Sequence, residues 1–261
     1  MVSAETVQAE GARYTACLVF VPGLWAGARV WRRFATYLAH RGWECRLLEL
    51  RGLQAGLRER AAAVAAYAAA LPARAVLVGH DAGALAALAA APGAGAAALV
   101  LIAPLVPGSR DTRALARQLR SLCALVRGRP VPPPASERMA RLWGEGSPSF
   151  GADVLTALGP DDARAVRDVV WGRVRPAAAP GVPTLLLAGE RDPLLPPAAA
   201  RALAESLGAE HRALAGEGHW PLAGPSWATA VGFVHRWLVQ RLGEPLLELH
   251  AEAMAERDTD E

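Results

Sequence analysis

Short strand-like runs, most of them apolar, alternate with longer helix-forming segments through most of the chain. The strand-like runs are residues 16–21, 45–50, 75–78, 97–102, 184–188 and 210–214, and the helix-like segments are residues 30–41, 57–71, 84–91, 198–207 and 227–242. Strands that are apolar throughout are typical of a sheet covered on both faces, and strands joined by helices run parallel. The pattern therefore predicts an α/β fold with a mainly parallel, doubly wound sheet.

The alternation stops over residues 105–180, where the sequence predicts a separate insertion. The proline-rich stretch 129–134 excludes a helix or a central strand. Helical patterns occur around it at residues 115–126, 136–142 and 161–171. We therefore expect a mainly helical layer inserted between the two parts of one α/β core, residues 1–104 and 181–261. The tail from residue 244 predicts a short amphipathic helix with an acidic end.

The composition of the chain limits the classes of partner that it can bind. All 28 basic residues are arginine and the net charge is only +3 without a basic stripe, which does not indicate nucleic-acid binding. Cys17, Cys45 and Cys123 lie far apart, so we expect neither a disulfide framework nor a metal site. Residues 1–14 lack the apolar core of a signal peptide and no apolar run reaches about 18 residues. We therefore expect a cytoplasmic protein with no membrane segment.

The pentapeptide Gly79-His80-Asp81-Ala82-Gly83 joins a strand-like run to a helix-forming segment. A strand, a Gly-x-X-x-Gly turn and a helix are typical of a nucleophile elbow, in which the glycines leave room for a strained central residue. The central residue here is Asp81. Attack by a carboxylate on a carbonyl gives a mixed anhydride, whereas attack on a saturated carbon gives an alkyl ester that water can cleave. Asp81 therefore favours epoxides or carbon–halogen bonds as substrates, or a role as a base or a fixed charge.

Three further segments extend this motif to most of the chain outside residues 105–180. Val21-Pro22-Gly23-Leu24-Trp25 resembles the oxyanion loop of the α/β-hydrolase superfamily, although Pro22 stands where histidine is usual. Residues 189–196 resemble the acid loop of that superfamily, and residues 216–221 resemble its histidine loop. The chain is thus similar to an α/β-hydrolase, and the resemblance implies that residues 105–180 form a short helical cap over the active site. The cap follows the strand after the elbow helix.

The resemblance also implies a role for each matching residue. Asp81 is the nucleophile, His219 deprotonates the water that cleaves the ester, and Asp192 orients His219. The backbone amides of Leu24 and Ala82 stabilise the oxyanion that forms. This chemistry requires no metal and no organic cofactor, and its partner is a small-molecule substrate.

Two of these loop residues have alternative interpretations. Asp192 could instead cap the helix that follows Pro196, and Glu190 is a rival acid two residues earlier. His219 alone could be a residue of a surface loop. His80, which precedes the elbow nucleophile, is expected to have a structural role.

Asp elbows in this superfamily occur in epoxide hydrolases and in haloalkane or haloacetate dehalogenases. Epoxide hydrolases typically protonate the opening oxygen with cap tyrosines, but Tyr14, Tyr37 and Tyr67 all lie outside the predicted cap. Dehalogenases need halide-binding side chains where this chain has Ala82 and Leu24. Because the halide site lacks more parts, the leading hypothesis is a hydrolase that opens an epoxide through an Asp81 ester.

Four tryptophans could line an aromatic substrate pocket, namely Trp25, Trp143, Trp171 and Trp220. Such a pocket under a short cap favours a bulky substrate such as a secondary metabolite. Other hypotheses remain open. One is an acyl-transfer, lyase or cyclase enzyme of natural-product biosynthesis with Asp81 as acid or base. The others are a dehalogenase, a non-catalytic binding protein on a hydrolase scaffold, and an Asp81 introduced in place of serine. The sequence does not indicate the oligomeric state.

Overall fold

The computed structural model describes residues 2–113, 122–134, 157–224 and 226–242. The strands are β1 Ser3–Val7, β2 Cys17–Val21, β3 Glu44–Glu49, β4 Ala75–His80, β5 Ala98–Ile102, β6 Thr184–Gly189 and β7 Glu210–Leu214. They form one seven-stranded sheet in the order β1-β3-β2-β4-β5-β6-β7. Strand β1 runs antiparallel to β3, and the other neighbouring strands are parallel. The predicted α/β fold with a mainly parallel sheet is therefore confirmed.

Helices cover both faces of this sheet. They are α1 Arg32–Ala39, α2 Leu57–Ala69, α3 Ala82–Ala94, α4 Leu122–Arg127, α5 Ala163–Val170, α6 Pro197–Leu207 and α7 Trp227–Leu242. Alternate strand residues face opposite sides, so Leu18 and Phe20 of β2 pack with α1 and α7. Val19 and Val21 of the same strand pack with α2, α3 and α6. Each strand in the middle of the sheet is consequently apolar on both faces, which explains the continuous apolar runs.

Strand β1 was not anticipated by the hydrophobic pattern. Each of its five residues is exposed or only partly buried, and the strand lies at the edge of the sheet. An edge strand can be held by backbone hydrogen bonds to one neighbour, so it does not need an apolar run. The predicted helix at residues 30–41 also differs, because Ala28–Trp31 forms a 3₁₀ turn before α1 begins.

Within residues 105–180, the described part contains α4 and α5, which contact each other. These helices correspond to the end of the pattern at residues 115–126 and to the pattern at residues 161–171. The predicted helices at residues 136–142 and after residue 244 lie outside the described residues. Across the described ranges, the structure contains no helix with the length and apolar character needed to cross a membrane.

Candidate active site

Asp81 lies at a sharp turn between β4 and α3, with φ 56° and ψ −126°. A positive φ is rare for a residue with a side chain and strains the backbone. The flanking glycines allow the close approach that this turn requires. A Cβ atom at Gly83 would lie 2.3 Å from the Val21 carbonyl oxygen, and one at Gly79 would lie 2.5 Å from the Ala84 Cα. The geometry is that of the elbow expected from the sequence, and it directs the Asp81 side chain towards the oxyanion loop.

The Asp81 carboxylate is buried against the loop that follows β2. The Leu24 amide donates a hydrogen bond to Asp81 Oδ2 at 3.3 Å. Both Leu24 and Ala82 act through their amides to lower the pKa of this carboxyl. Among the described residues, none forms a hydrogen bond with the buried Oδ1 atom. The contact with Leu24 depends on Gly23, because a Cβ atom at Gly23 would lie 2.6 Å from the Asp81 Cβ.

His219 and Asp192 form a buried pair, and both side chains are fully inaccessible to solvent. His219 Nδ1 donates to Asp192 Oδ2 at 2.8 Å. The other carboxylate oxygen accepts from the amides of Leu194 and Leu195 at 2.8 and 3.0 Å, which fixes its orientation. Asp192 thus holds the imidazole and does not cap α6, whereas the rival acid Glu190 is exposed. His219 Nε2 is buried with no hydrogen-bond partner in the part of the chain that the structure describes.

His80 contacts the histidine loop through a hydrogen bond and through ring packing. Its Nε2 atom lies 2.8 Å from the His219 carbonyl oxygen, to which it donates. Its ring centroid lies 5.3 Å from that of His219 and 4.6 Å from that of Trp220. Burial and the His219 charge lower the pKa of His80 to about 3, so the ring is neutral. His80 therefore joins the elbow to the histidine loop without adding a charge.

The two buried groups at the centre of the site affect each other's protonation. Burial raises the pKa of Asp81 to about 7, although the His219 charge and the two amides act in the opposite direction. Burial alone would lower the pKa of His219, but the charge and hydrogen bond of Asp192 and the charge of Asp81 outweigh this and raise it. Groups that interact in this way titrate as a pair, and perturbed pKa values of this kind are common in active sites.

Of the four candidate tryptophans, the structure describes Trp25, Trp171 and Trp220, and their surroundings differ. Trp25 is buried and its indole Nε1 donates to the Val131 carbonyl oxygen at 3.0 Å. Trp220 is buried against His80. Trp171 is instead 47% exposed, with arginine side chains over its ring, so it does not line the buried site. It follows the last residue of α5, whose apolar face is already buried in the core. Trp143 lies outside the described residues.

Arg60 and Asp161 meet beside the oxyanion loop, although no sequence motif singles them out. Their side chains form a buried ion pair, with 3% and 0% of their surfaces exposed. Asp161 Oδ2 also accepts a hydrogen bond from the Trp25 amide at 2.8 Å. The two residues are far apart in the sequence and match no motif, so no local signal could have paired them. Across the described ranges, no cluster of three or more His, Cys, Asp or Glu side chains could hold a metal ion.

The raised pKa of Asp81 predicts a specific dependence of stability on pH. The folded state keeps a proton on Asp81 up to about pH 7, whereas an unperturbed Asp has a pKa of 3.8. The stability that this proton contributes is complete below pH 3.8 and is lost as the pH rises through 7. As the pH rises from 4 to 8, we expect the Tm of Asp81→Asn to increase relative to that of wild type. For a chain of this size, each kcal/mol of difference in unfolding free energy shifts the Tm by about 2–4 °C.

Thermal unfolding followed by circular dichroism between pH 4 and pH 8 measures this difference. Glu190→Gln is the matched control, because it removes an exposed acid near the same site. A difference between Asp81→Asn and wild type that did not change with pH would contradict the prediction.

Gly23→Ala tests the contact between the oxyanion loop and Asp81. The added methyl group would lie 2.8 Å from Asp81 Oδ2, so the loop and the carboxylate must move apart. We expect turnover to fall by about 10²-fold or more, as small displacements of reacting groups commonly do. Gly232→Ala is the control, because its Cβ would make only an ordinary contact 3.7 Å from the nearest atoms. Full activity in Gly23→Ala, with an unchanged Leu24–Asp81 distance in its crystal structure, would show that this contact is not needed.

The chain is similar to several proteins of known structure. Three solved structures illustrate the likeness. An esterase from Thermogutta terrifontis, with malate bound, is 18% identical with a TM-score of 0.69 and covers 92% of this chain and 94% of its own. A monoacylglycerol lipase from Paleococcus ferrophilus is 18% identical with a TM-score of 0.70. The match covers 92% of this chain and 99% of the lipase. An esterase from a Rhodococcus species is 18% identical with a TM-score of 0.68. The match covers 91% of this chain and 94% of the esterase.

At this level of identity the three structures establish a shared fold, and they confirm the predicted α/β-hydrolase fold. A comparison with curated protein sequences finds no match to this chain. The sequence profile described as "Alpha/beta hydrolase family" matches residues 18–229, which include the elbow, the acid loop and the histidine loop. The chain therefore belongs to the α/β-hydrolase family.

Proposed function

We propose that this protein is a hydrolase that opens an epoxide, or a related electrophilic carbon, through an ester of Asp81. The observation that carries the proposal is the environment of the Asp81 carboxylate. One oxygen, Oδ2, accepts from the Leu24 amide, while Oδ1 is buried without a hydrogen-bond partner among the described residues. The first oxygen is positioned to hold negative charge and the second is free to attack.

The first step forms the ester. Asp81 Oδ1 attacks one carbon of the epoxide, the bond between that carbon and the ring oxygen breaks, and the oxygen takes a proton from a bound water or an acid. The carboxylate must be ionised for this step, so its rate rises with pH through about 7. Among the described residues Asp81 forms no salt bridge, although the nearby His219 charge lowers its pKa and so favours the ionised form.

The second step returns the enzyme to its starting state. His219 Nε2 removes a proton from water, and the resulting hydroxide attacks the Asp81 carbonyl carbon. The Leu24 and Ala82 amides stabilise the oxyanion that develops on Oδ2. The intermediate then collapses, and the alkoxide of the product leaves with the proton from His219. The new carboxyl group gives its proton back to the water or acid that protonated the epoxide oxygen, which restores the carboxylate. The hydrogen bond from Nδ1 to Asp192 leaves Nε2 available to accept the proton of water.

The structural neighbours are described as esterases and a lipase, but an Asp nucleophile is poorly suited to their reaction. Attack by Asp81 on an ester carbonyl would create a mixed anhydride, which is a poor intermediate for ester hydrolysis. The same scaffold with a carboxylate at the elbow is better suited to a saturated carbon. This difference supports an epoxide over an ester as the substrate class.

One observation favours a second function. A carboxyl whose pKa is about 7 exchanges protons readily at neutral pH, as a general acid or base does. Asp81 could then transfer protons in an acyl-transfer, lyase or cyclase reaction without forming a covalent bond. The experiment below separates the two functions.

The proposal predicts that the ester accumulates when His219 is removed. His219→Ala spares the attack on carbon but blocks hydrolysis, so incubation with trans-stilbene oxide should add the mass of one epoxide to the protein. Peptide mapping should locate the added mass at Asp81. The double variant Asp81→Asn/His219→Ala is the control and should form no adduct, because an amide is a poor nucleophile.

Single-turnover hydrolysis by the wild-type protein in ¹⁸O-water gives an independent result. Because water attacks the Asp81 carbonyl carbon, the label should enter the enzyme's carboxylate and the first product should carry unlabelled oxygen. A fully labelled product together with no adduct in His219→Ala would mean that water attacks the substrate directly. Asp81 would then be a base, and the second function would replace the first.

A further inference from the structure

The backbone of Trp25 is held at both ends by the insertion that follows β5. Its amide donates to Asp161 Oδ2 at 2.8 Å, and its carbonyl oxygen accepts from the Gly159 amide at 2.9 Å. Its indole donates to the Val131 carbonyl oxygen at 3.0 Å. Each hydrogen-bonding group of Trp25 is therefore bound by a residue of the insertion.

These bonds hold Trp25 in a conformation that its sequence does not favour. Its φ is 61°, in the left-handed region that a residue with a bulky side chain rarely adopts. Such strain persists only where surrounding contacts determine the backbone. Trp25 directly follows Leu24, whose amide donates to Asp81, so the backbone conformation at Trp25 bears on the position of that amide.

Asp161 is itself fixed by several hydrogen bonds. Arg60, on α2, binds both carboxylate oxygens, with its Nη1 atom 3.3 Å from Oδ2 and its Nη2 atom bonded to Oδ1. The Asp162 amide donates to Oδ1 at 2.7 Å. A buried ion pair of this kind contributes little net stability, because both charges lose their hydration. Its position at the oxyanion loop points to a role in geometry instead.

We propose that Asp161, held by Arg60, is a positioning residue that keeps Trp25 in its left-handed conformation and so directs the Leu24 amide at Asp81. Asp161 touches neither Asp81 nor any group that reacts. Its charge does raise the pKa of Asp81, which places the ion pair near the reacting carboxylate. The role holds whether Asp81 is a nucleophile or a base, and only the kinetic part of the test depends on the proposed hydrolysis of epoxides.

The test compares two double variants that both remove the charges. Arg60→Met/Asp161→Leu keeps similar volumes but leaves no acceptor for the Trp25 amide. Arg60→Gln/Asp161→Asn also removes the charges but retains a side-chain oxygen at position 161. Asp162→Asn is the third variant, because Asp162 is the adjacent acid, it binds Arg164, and it makes no hydrogen bond to Trp25. Arg60→Met/Asp161→Ala replaces the first variant if that variant does not fold.

The first measurement is a crystal structure of each variant, which needs no substrate. In the variant without an acceptor, we expect Trp25 to adopt a negative φ and the Leu24 amide to leave Asp81 Oδ2. In Arg60→Gln/Asp161→Asn and in Asp162→Asn, both features should remain. A positive φ at Trp25 and an intact Leu24–Asp81 bond without the acceptor would overturn the proposal.

The second measurement is turnover of the epoxide that the wild-type protein hydrolyses. Loss of one oxyanion donor typically lowers kcat by about 10²–10³-fold. We therefore expect kcat of Arg60→Met/Asp161→Leu to fall by this factor, while its KM stays within about threefold of the wild-type value. Arg60→Gln/Asp161→Asn should recover most of the lost kcat, which a purely stabilising ion pair would not allow. Equal kcat in the two double variants would overturn the proposal. If the wild-type protein hydrolyses no epoxide, the proposed function fails, and the crystal structures alone decide the role of Asp161.

Discussion

The close packing of the elbow on the end of β2 is the constraint on which the site depends. No side chain fits between Gly83 and the carbonyl groups of Val21 and Pro22, since a Cβ atom would lie within 2.4 Å of either oxygen. Strand β2 leads directly into the oxyanion loop, so this contact brings the loop and Asp81 together. Without it, neither the Leu24 amide nor the strained turn at Asp81 would have its present place.

In the part of the chain that the structure describes, two buried ion pairs lie at the site beside the Asp81 carboxylate, which forms no salt bridge. Asp192 is paired with His219, and Asp161 is paired with Arg60. Asp81 is left with backbone amides as its hydrogen-bond donors, and these disperse its charge without neutralising it. Burial of a carboxylate without a cation is unfavourable, and proteins retain such groups mainly where chemistry requires them. The oxygen without a hydrogen-bond donor among the described residues, Oδ1, is the one to which the proposed function assigns the attack.

Much of this site was predictable because its parts are local in sequence. The elbow needs only a strand, two glycines and a helix, and the acid and histidine loops are each one short segment. The choice of Asp192 over Glu190 followed from its place in the acid loop, and the hydrogen bond to His219 agrees with it.

The parts that could not be predicted depend on contacts between distant residues or on weak patterns. Strand β1 has no apolar run, because edge pairing with β3 requires only the backbone. Trp171 was proposed to line the pocket from its aromatic character alone, but its place just after α5 turns it outward. The ion pair of Arg60 and Asp161 arises only when α2 and the insertion meet in three dimensions.

The hydrogen bonds at Trp25 also couple the insertion to the loop that contacts Asp81. The next residue is joined to the insertion as well, since Ala26 and Leu158 form an antiparallel bridge. If the insertion swung away at this point, the oxyanion loop would be pulled out of shape together with it. At this point the insertion and the oxyanion loop therefore behave as one unit. A movement of one without the other would first have to break the three hydrogen bonds of Trp25.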